Sequence, residues 1–150
     1  MLKKVPSGVA EIKKIFGDAN DPQFEAHNIK EFDLPYPLLY AGQKVIHARC
    51  HYLIIENFQQ AFQQIKDHGL VGEVTNYGGI YQVRSKRGQK KLSTHAWGIA
   101  IDLEPEKYPL KSKARFPDEV IQIFRAAGFF YGGDFKGRLD PMHFQFCEKY

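Results

Sequence analysis

Ten residues constrain this chain more than any others: Ser93-Thr94-His95-Ala96-Trp97-Gly98-Ile99-Ala100-Ile101-Asp102. From Gly98 to Leu103 the pattern alternates as a strand does. Ile99, Ile101 and Leu103 point one way, and Gly98, Ala100 and Asp102 point the other. A core strand would fill both faces with bulk. Here one face carries almost nothing beside a carboxylate, which leaves room for a second strand, an ion and a ligand. An imidazole, His95, stands seven residues before that carboxylate.

A matching half-site lies near the other end, in Asp140-Pro141-Met142-His143-Phe144-Gln145-Phe146. Met142 to Cys147 reads as a strand with His143, Gln145 and Cys147 on one face and Phe144 and Phe146 on the other. Cys147 is four residues beyond His143, roughly 13 Å along a strand, and so is not a ligand of the same ion. His95, Asp102 and His143 supply three protein ligands and leave a fourth position open, the arrangement of catalytic zinc. Each ring must be neutral to bind, and hydrogen bonds behind it would fix its tautomer. Water on such an ion approaches neutral pKa and becomes a nucleophile.

A general base has to stand beside that water without taking the ion. Asp140 fits, three residues before His143 and held by the restricted geometry of Pro141. A cation aimed at the developing oxyanion contributes roughly 3–4 kcal/mol. Arg84 is the first choice because its fork can also hold a carboxylate. Arg87 is the second, and a substrate contact in its own right. Both lie in Arg84-Ser85-Lys86-Arg87-Gly88-Gln89-Lys90-Lys91, with five cations and no acid in eight residues. Most such runs are solvated loops, but this one feeds directly into the metal motif. Ser93 could orient His95 or hydrogen-bond substrate, and Trp97 is expected to pack.

The same ligand types form the facial triad of non-haem iron oxygenases. Those place the carboxylate much closer to the first histidine, and Asp140 would have no task there. Hydrolysis is the better reading.

The whole chain sets few other bounds. Its 150 residues suit one domain, residues 1–150, with one core. Twelve Phe and eight Tyr let a small core bury much area per residue. A net charge of +4 gives a mild preference for anionic surroundings and does not choose among them. Cys50 and Cys147 imply no disulfide framework and read as buried thiols. Met1 to Pro6 has a basic start without an apolar run behind it, so we expect no signal peptide, and no run reaches membrane-spanning length.

Around the site, a helix is expected over Gly8 to Phe16 with Ser7 as its cap, and an extended, proline-interrupted segment over Ile29 to Tyr40. The strongest helix signal runs from His51 to His68, with Ile54, Phe58, Ala61, Phe62 and Ile65 at helical spacing. His51 then reads as ordinary surface and His68 as a charge partner of the helix end. His27 and His47 read as structural or surface. Val71 to Thr75 looks like a strand, Gly78-Gly79 a turn or close approach, and Pro117 opens a last helix that Gly128 closes.

The combined pattern Ser93-x-His95-x-x-Gly98-x-Ala100-x-Asp102, followed by Asp140-x-x-His143, resembles the zinc D-alanyl-D-alanine carboxypeptidase family. That family includes VanY- and VanX-like enzymes and phage L-alanyl-D-glutamate endopeptidases. Gly79-Ile80-Tyr81-x-x-Arg84-x-x-Arg87-Gly88 and Gly132-Gly133-Asp134-Phe135-Lys136-Gly137-Arg138-x-Asp140-Pro141-Met142-His143-Phe144 extend the likeness. The resemblance implies an α+β fold, a small antiparallel sheet carrying the metal site with helices against it, as also found in hedgehog signalling domains. It implies one Zn2+ per chain on His95, Asp102 and His143. Asp140 would be the base where many members carry Glu, an aspartate there resembling the phage endopeptidases, and Arg84 would be the arginine before the metal motif. Glu104 departs from the usual asparagine after the Asp-Leu pair.

The expected substrate is then the stem peptide of peptidoglycan, cut as an L-alanyl-D-glutamate endopeptidase (an endolysin) or as a D-alanyl-D-alanine carboxypeptidase. The expectation is a monomer with no nucleic-acid partner, made in the cytoplasm without a signal peptide. It would act on the wall after phage or prophage release, or as part of a virion. The alternative is a non-catalytic zinc module of the same fold that binds wall fragments or a protein partner.

Overall fold

The structure, a computed structural model, describes residues 1–84 and 91–150. It is an α+β fold with two small antiparallel sheets. The elements run α1 (Val9–Phe16), α2 (Phe24–Asn28), β1 (Ile29–Tyr40), β2 (Gln43–His51), α3 (Ile55–Asp67), β3 (Tyr77–Gly79), β4 (Ala100–Leu103), α4 (Asp118–Ala126), β5 (Phe130–Tyr131) and β6 (His143–Gln145).

Strands β1 and β2 form a long hairpin, turned by Ala41 and Gly42, both at positive φ. Its register slips between Asp33 and Leu38. Pro35 and Pro37 stand in that gap, where they have no N–H to give a ladder. Beyond the slip, Leu39 donates to the Thr75 carbonyl at 2.8 Å, tying the hairpin to the segment that leads into β3.

The second sheet has the order β3-β4-β6-β5. In it Ala100 pairs with Gln145, Ile101 with Phe144, and Asp102 with His143. This register puts both half-sites on one face. On the other face Phe144 stacks on Phe124 of α4, with ring centres 4.4 Å apart, and Phe146 meets Phe129 edge-on. Helix α3 buries Phe58, Ala61, Phe62 and Ile65 completely, at the i, i+3, i+4, i+7 spacing of a core-facing stripe. Phe58 packs on Phe129 and Phe62 on Phe124, which locks α3, α4 and the sheet together.

Several local expectations need correction. The helix predicted from His51 begins at Ile55, because β2 runs through His51 and a 3-10 turn over Tyr52–Ile54 follows. His51 is buried, not surface. Its Nε2–H donates to the Phe16 carbonyl at 2.9 Å, and its Nδ1 accepts from the Leu53 N–H at 3.3 Å. The predicted strand over Val71 to Thr75 is a 3-10 turn, Val71–Glu73, entered at the end of α3. Ser7 does not cap α1. The cap position is Gly8, and the Ser7 N–H instead reaches the Glu11 carboxylate.

Other expectations agree with the structure. Both cysteines are buried and free. The exposed His68 stands at the end of α3 as expected, and the contact seen there is a hydrogen bond from its Nδ1–H to the Gln64 carbonyl. Trp97 packs in the core, with its indole N–H on the Gly17 carbonyl at 2.9 Å. No helix of the described residues is long and apolar enough to cross a membrane.

Candidate metal centre

His95 sits in a 3-10 turn, Thr94–Trp97, that Ser93 caps by accepting the His95 N–H on its Oγ. Gly98 ends the turn in the left-handed region, φ 69. A side chain there would strike Ile29 Cδ1 at 2.6 Å and the His51 nitrogen at 2.9 Å. The turn is thereby pressed against the hairpin, and β4 starts two residues later with Asp102 facing His95.

The three expected ligands come together. Their donor atoms all lie within 4.8 Å of one another, so His95, Asp102 and His143 could hold a metal ion. His95 Nε2 lies 3.3 Å from Asp102 Oδ2, and His143 Nδ1 lies 3.1 Å from Asp102 Oδ1. The donor chemistry of each ring is settled from behind. His95 Nδ1–H donates to the Ile80 carbonyl at 2.7 Å, which leaves Nε2 as a lone pair. That Nε2 is fully buried and makes no hydrogen bond among the described residues. A buried nitrogen lone pair aimed at a carboxylate is costly unless a cation lies between them. The site therefore fits a divalent ion.

The charge balance points the same way. Burial works against ionising Asp102, yet hydrogen bonds and charge from His143 and His95 hold its carboxyl well below the usual range. Burial also works against charging His143, but Asp102 and then Asp140 draw its ring upward. The pocket's field thus gathers positive charge at one point.

Asp140 stands at the edge of this cluster, its Oδ2 3.8 Å from His143 Nδ1. The turn that carries it is held at three points. The Asp140 N–H donates to the Gly132 carbonyl, the His143 N–H to the Asp140 carbonyl, and the Tyr131 hydroxyl to the Pro141 carbonyl at 2.8 Å. Arg84 lines the same cleft, and its Nε–H donates to Gln82 Oε1 at 3.0 Å. The Arg84 carbonyl accepts the Ser93 N–H, which ties Arg84 to the His95 turn. Arg87 lies outside the described residues.

Sequence reasoning missed four contributors. Thr94 and Gln145 stand behind His143 and are buried. Lys136 and Arg138 line the same cleft as Arg84, and neither has an ion-pair partner among the described residues. Gln145 could have been found, since the strand pattern already places it on the His143 face. Glu104, the departure from the usual asparagine, turns at φ 51 and accepts from the Thr75 and Asn76 backbone N–H groups at 2.7 Å and from Asn76 Nδ2 at 2.9 Å. It fixes the approach to β3.

The ligand cluster, Asp140 and Arg84 open into a cleft of about 830 Å³, of the size that holds a small peptide. Residues 87–146 match the family model described as D-alanyl-D-alanine carboxypeptidase. The match takes in His95, Asp102, Asp140 and His143, and leaves α1, the hairpin and α3 outside it. It supports a metallopeptidase. No match to a curated protein was found.

Proposed function

We propose that this chain is a zinc peptidase acting on the stem peptides of peptidoglycan, as an L-alanyl-D-glutamate endopeptidase or a D-alanyl-D-alanine carboxypeptidase. One observation carries the reading: a buried His95–Asp102–His143 cluster with the carboxylate of Asp140 at its open side. The family match supports the peptidase class, and Lys136 and Arg138, cleft cations with no ion-pair partner among the described residues, suit a substrate rich in carboxylates.

His95, Asp102 and His143 would hold the zinc. When bound, it supplies Lewis acidity and lowers the pKa of water. Asp140 takes the proton of the attacking water and returns it to the departing amine. Arg84 faces the charge that gathers on the scissile carbonyl oxygen, or pairs with a substrate carboxylate. Arg87 and Ser93 are proposed substrate contacts. The Ser93 hydroxyl also accepts the His95 N–H, which positions that ring.

The test is mass spectrometry of purified peptidoglycan digested by zinc-loaded protein, with a chelator control. Chelator-sensitive release of peptides that begin at D-Glu identifies the endopeptidase, and we attach to that outcome the role of a phage or prophage lysis enzyme. Loss of terminal D-Ala alone identifies the carboxypeptidase. Intact peptidoglycan with one zinc per chain would overturn the proposal in favour of a binding module.

A further inference from the structure

The two imidazoles are fixed by different means. His95 leans on a backbone carbonyl that no substitution removes. His143 leans on side chains. Its Nε2 lies 2.9 Å from Gln145 Oε1, a buried contact at the floor of the cleft. The direction of this contact follows from the glutamine's other end. Gln145 Nε2 donates to the Cys147 carbonyl at 3.3 Å, so the amide oxygen is the atom that faces the ring. An oxygen there can only accept, and His143 must then carry its proton on Nε2. Thr94 supports the same oxygen, its hydroxyl donating to Gln145 Oε1 at 3.4 Å. Gln145 and Thr94 are both nearly inaccessible, at 5% and 3% exposure.

A buried glutamine on a strand otherwise filled with aromatics is expensive unless its polar atoms are used. Among the described residues, the side-chain hydrogen bonds of Gln145 run to His143, Thr94 and the Cys147 carbonyl. We propose that Gln145 is a positioning residue that holds His143 as the Nε2–H tautomer, with Nδ1 presented to the ion. The inference rests on the metal reading of the cluster. A neutral amide accomplishes this without adding a second carboxylate to the ligand set, as the common carboxylate partner of metal-bound histidines would.

Zinc affinity of Gln145→Met, measured by competition with a chromophoric chelator, tests the proposal. Methionine keeps the volume and removes the acceptor. Affinity should fall roughly 10- to 100-fold, and the metal-free variant, which leaves the buried His143 N–H without its acceptor, should unfold at a lower temperature. Gln145→Glu restores an acceptor at the same place and should recover most of the loss. A merely structural glutamine would not give that rescue.

A second measurement needs no variant. In zinc-loaded wild-type protein, long-range 1H–15N spectra of the ring should show His143 protonated at Nε2, with a slowly exchanging N–H. Protonation at Nδ1, or Gln145→Met binding zinc as tightly as wild type, overturns the proposal alone. Wild-type protein that takes up no zinc overturns the metal reading, and this inference with it.

Discussion

Gly78 lies so close to Asp102 that a methyl group on it would stand 2.9 Å from the Asp102 Cβ and 3.0 Å from the Asp102 carbonyl oxygen. The pairing of β3 with β4 slips at this point, between Tyr77 and Gly79. A glycine lets the edge strand close over the ligand strand. Gly78→Ala should therefore push β3 away from Asp102. We expect a loss of roughly 1–3 kcal/mol in urea unfolding, as for other overpacked sites, and weaker zinc binding. Wild-type values for both would mean that the edge strand gives way without cost.

Asp140 and His143 should separate by their metal content. Asp140→Asn keeps the turn and the ligands, so it should retain zinc while turnover falls by roughly 10²–10⁴. His143→Ala should lose both. Metal analysis of the purified variants beside a peptide-release assay reads the two effects. Full turnover in Asp140→Asn would remove it as the base.

His51 predicts an acid-sensitive step. Burial pushes its ring down from 6.5 to about 4, against a smaller upward pull from the Phe16 carbonyl. The unfolded chain therefore binds a proton here before the folded one does. The stability this histidine contributes is complete above pH 6.5 and is lost as pH falls from 6.5 to about 4. The difference corresponds to about 3 kcal/mol. Urea midpoints across that window should fall more steeply for wild type than for His51→Gln, and equal slopes would contradict the assignment.

Glu104 receives three N–H groups from Thr75 and Asn76, at 8% exposure. Glu104→Ala leaves those donors without their acceptor and should cost roughly 2–4 kcal/mol. Glu104→Gln keeps an oxygen in place and should cost less. Equal losses in the two variants would show that the charge, and not the acceptor, holds the segment.

The site was far more legible in the sequence than the frame around it, and the reasons are physical. Alternation from Gly98 to Leu103 is a strong signal because one face is empty, and the register of β4 on β6 follows it, placing Asp102 opposite His143. The stripe of α3 was equally clear. Strand β2 was not, because much of it is exposed and polar, and its turn uses Ala41-Gly42 where a hairpin usually announces itself with Asn or Asp before Gly. That omission carried the helix start back to His51 and made a buried ring look like surface. Val71 to Thr75 misled because a short apolar run suits a strand and a single turn alike. Arg84 and Asp140 could be named from spacing. The strand pattern puts Gln145 on the His143 face, but its role was not legible, because that depends on which way a buried amide points.

The cleft wall from Phe135 to Leu139 begins and ends at a single atom, since the Gly132 carbonyl accepts the N–H of both Phe135 and Asp140. The segment is a closed loop set upon the frame, whereas His95, Asp102 and His143 belong to the frame itself. Phe135 keeps a ring contact with His143, but between Lys136 and Arg138 length and sequence can change with little disturbance to the cluster, as surface loops generally allow. Exchanging it, with Lys136 and Arg138, is the natural route to a variant that recognises a different chain while keeping the same chemistry.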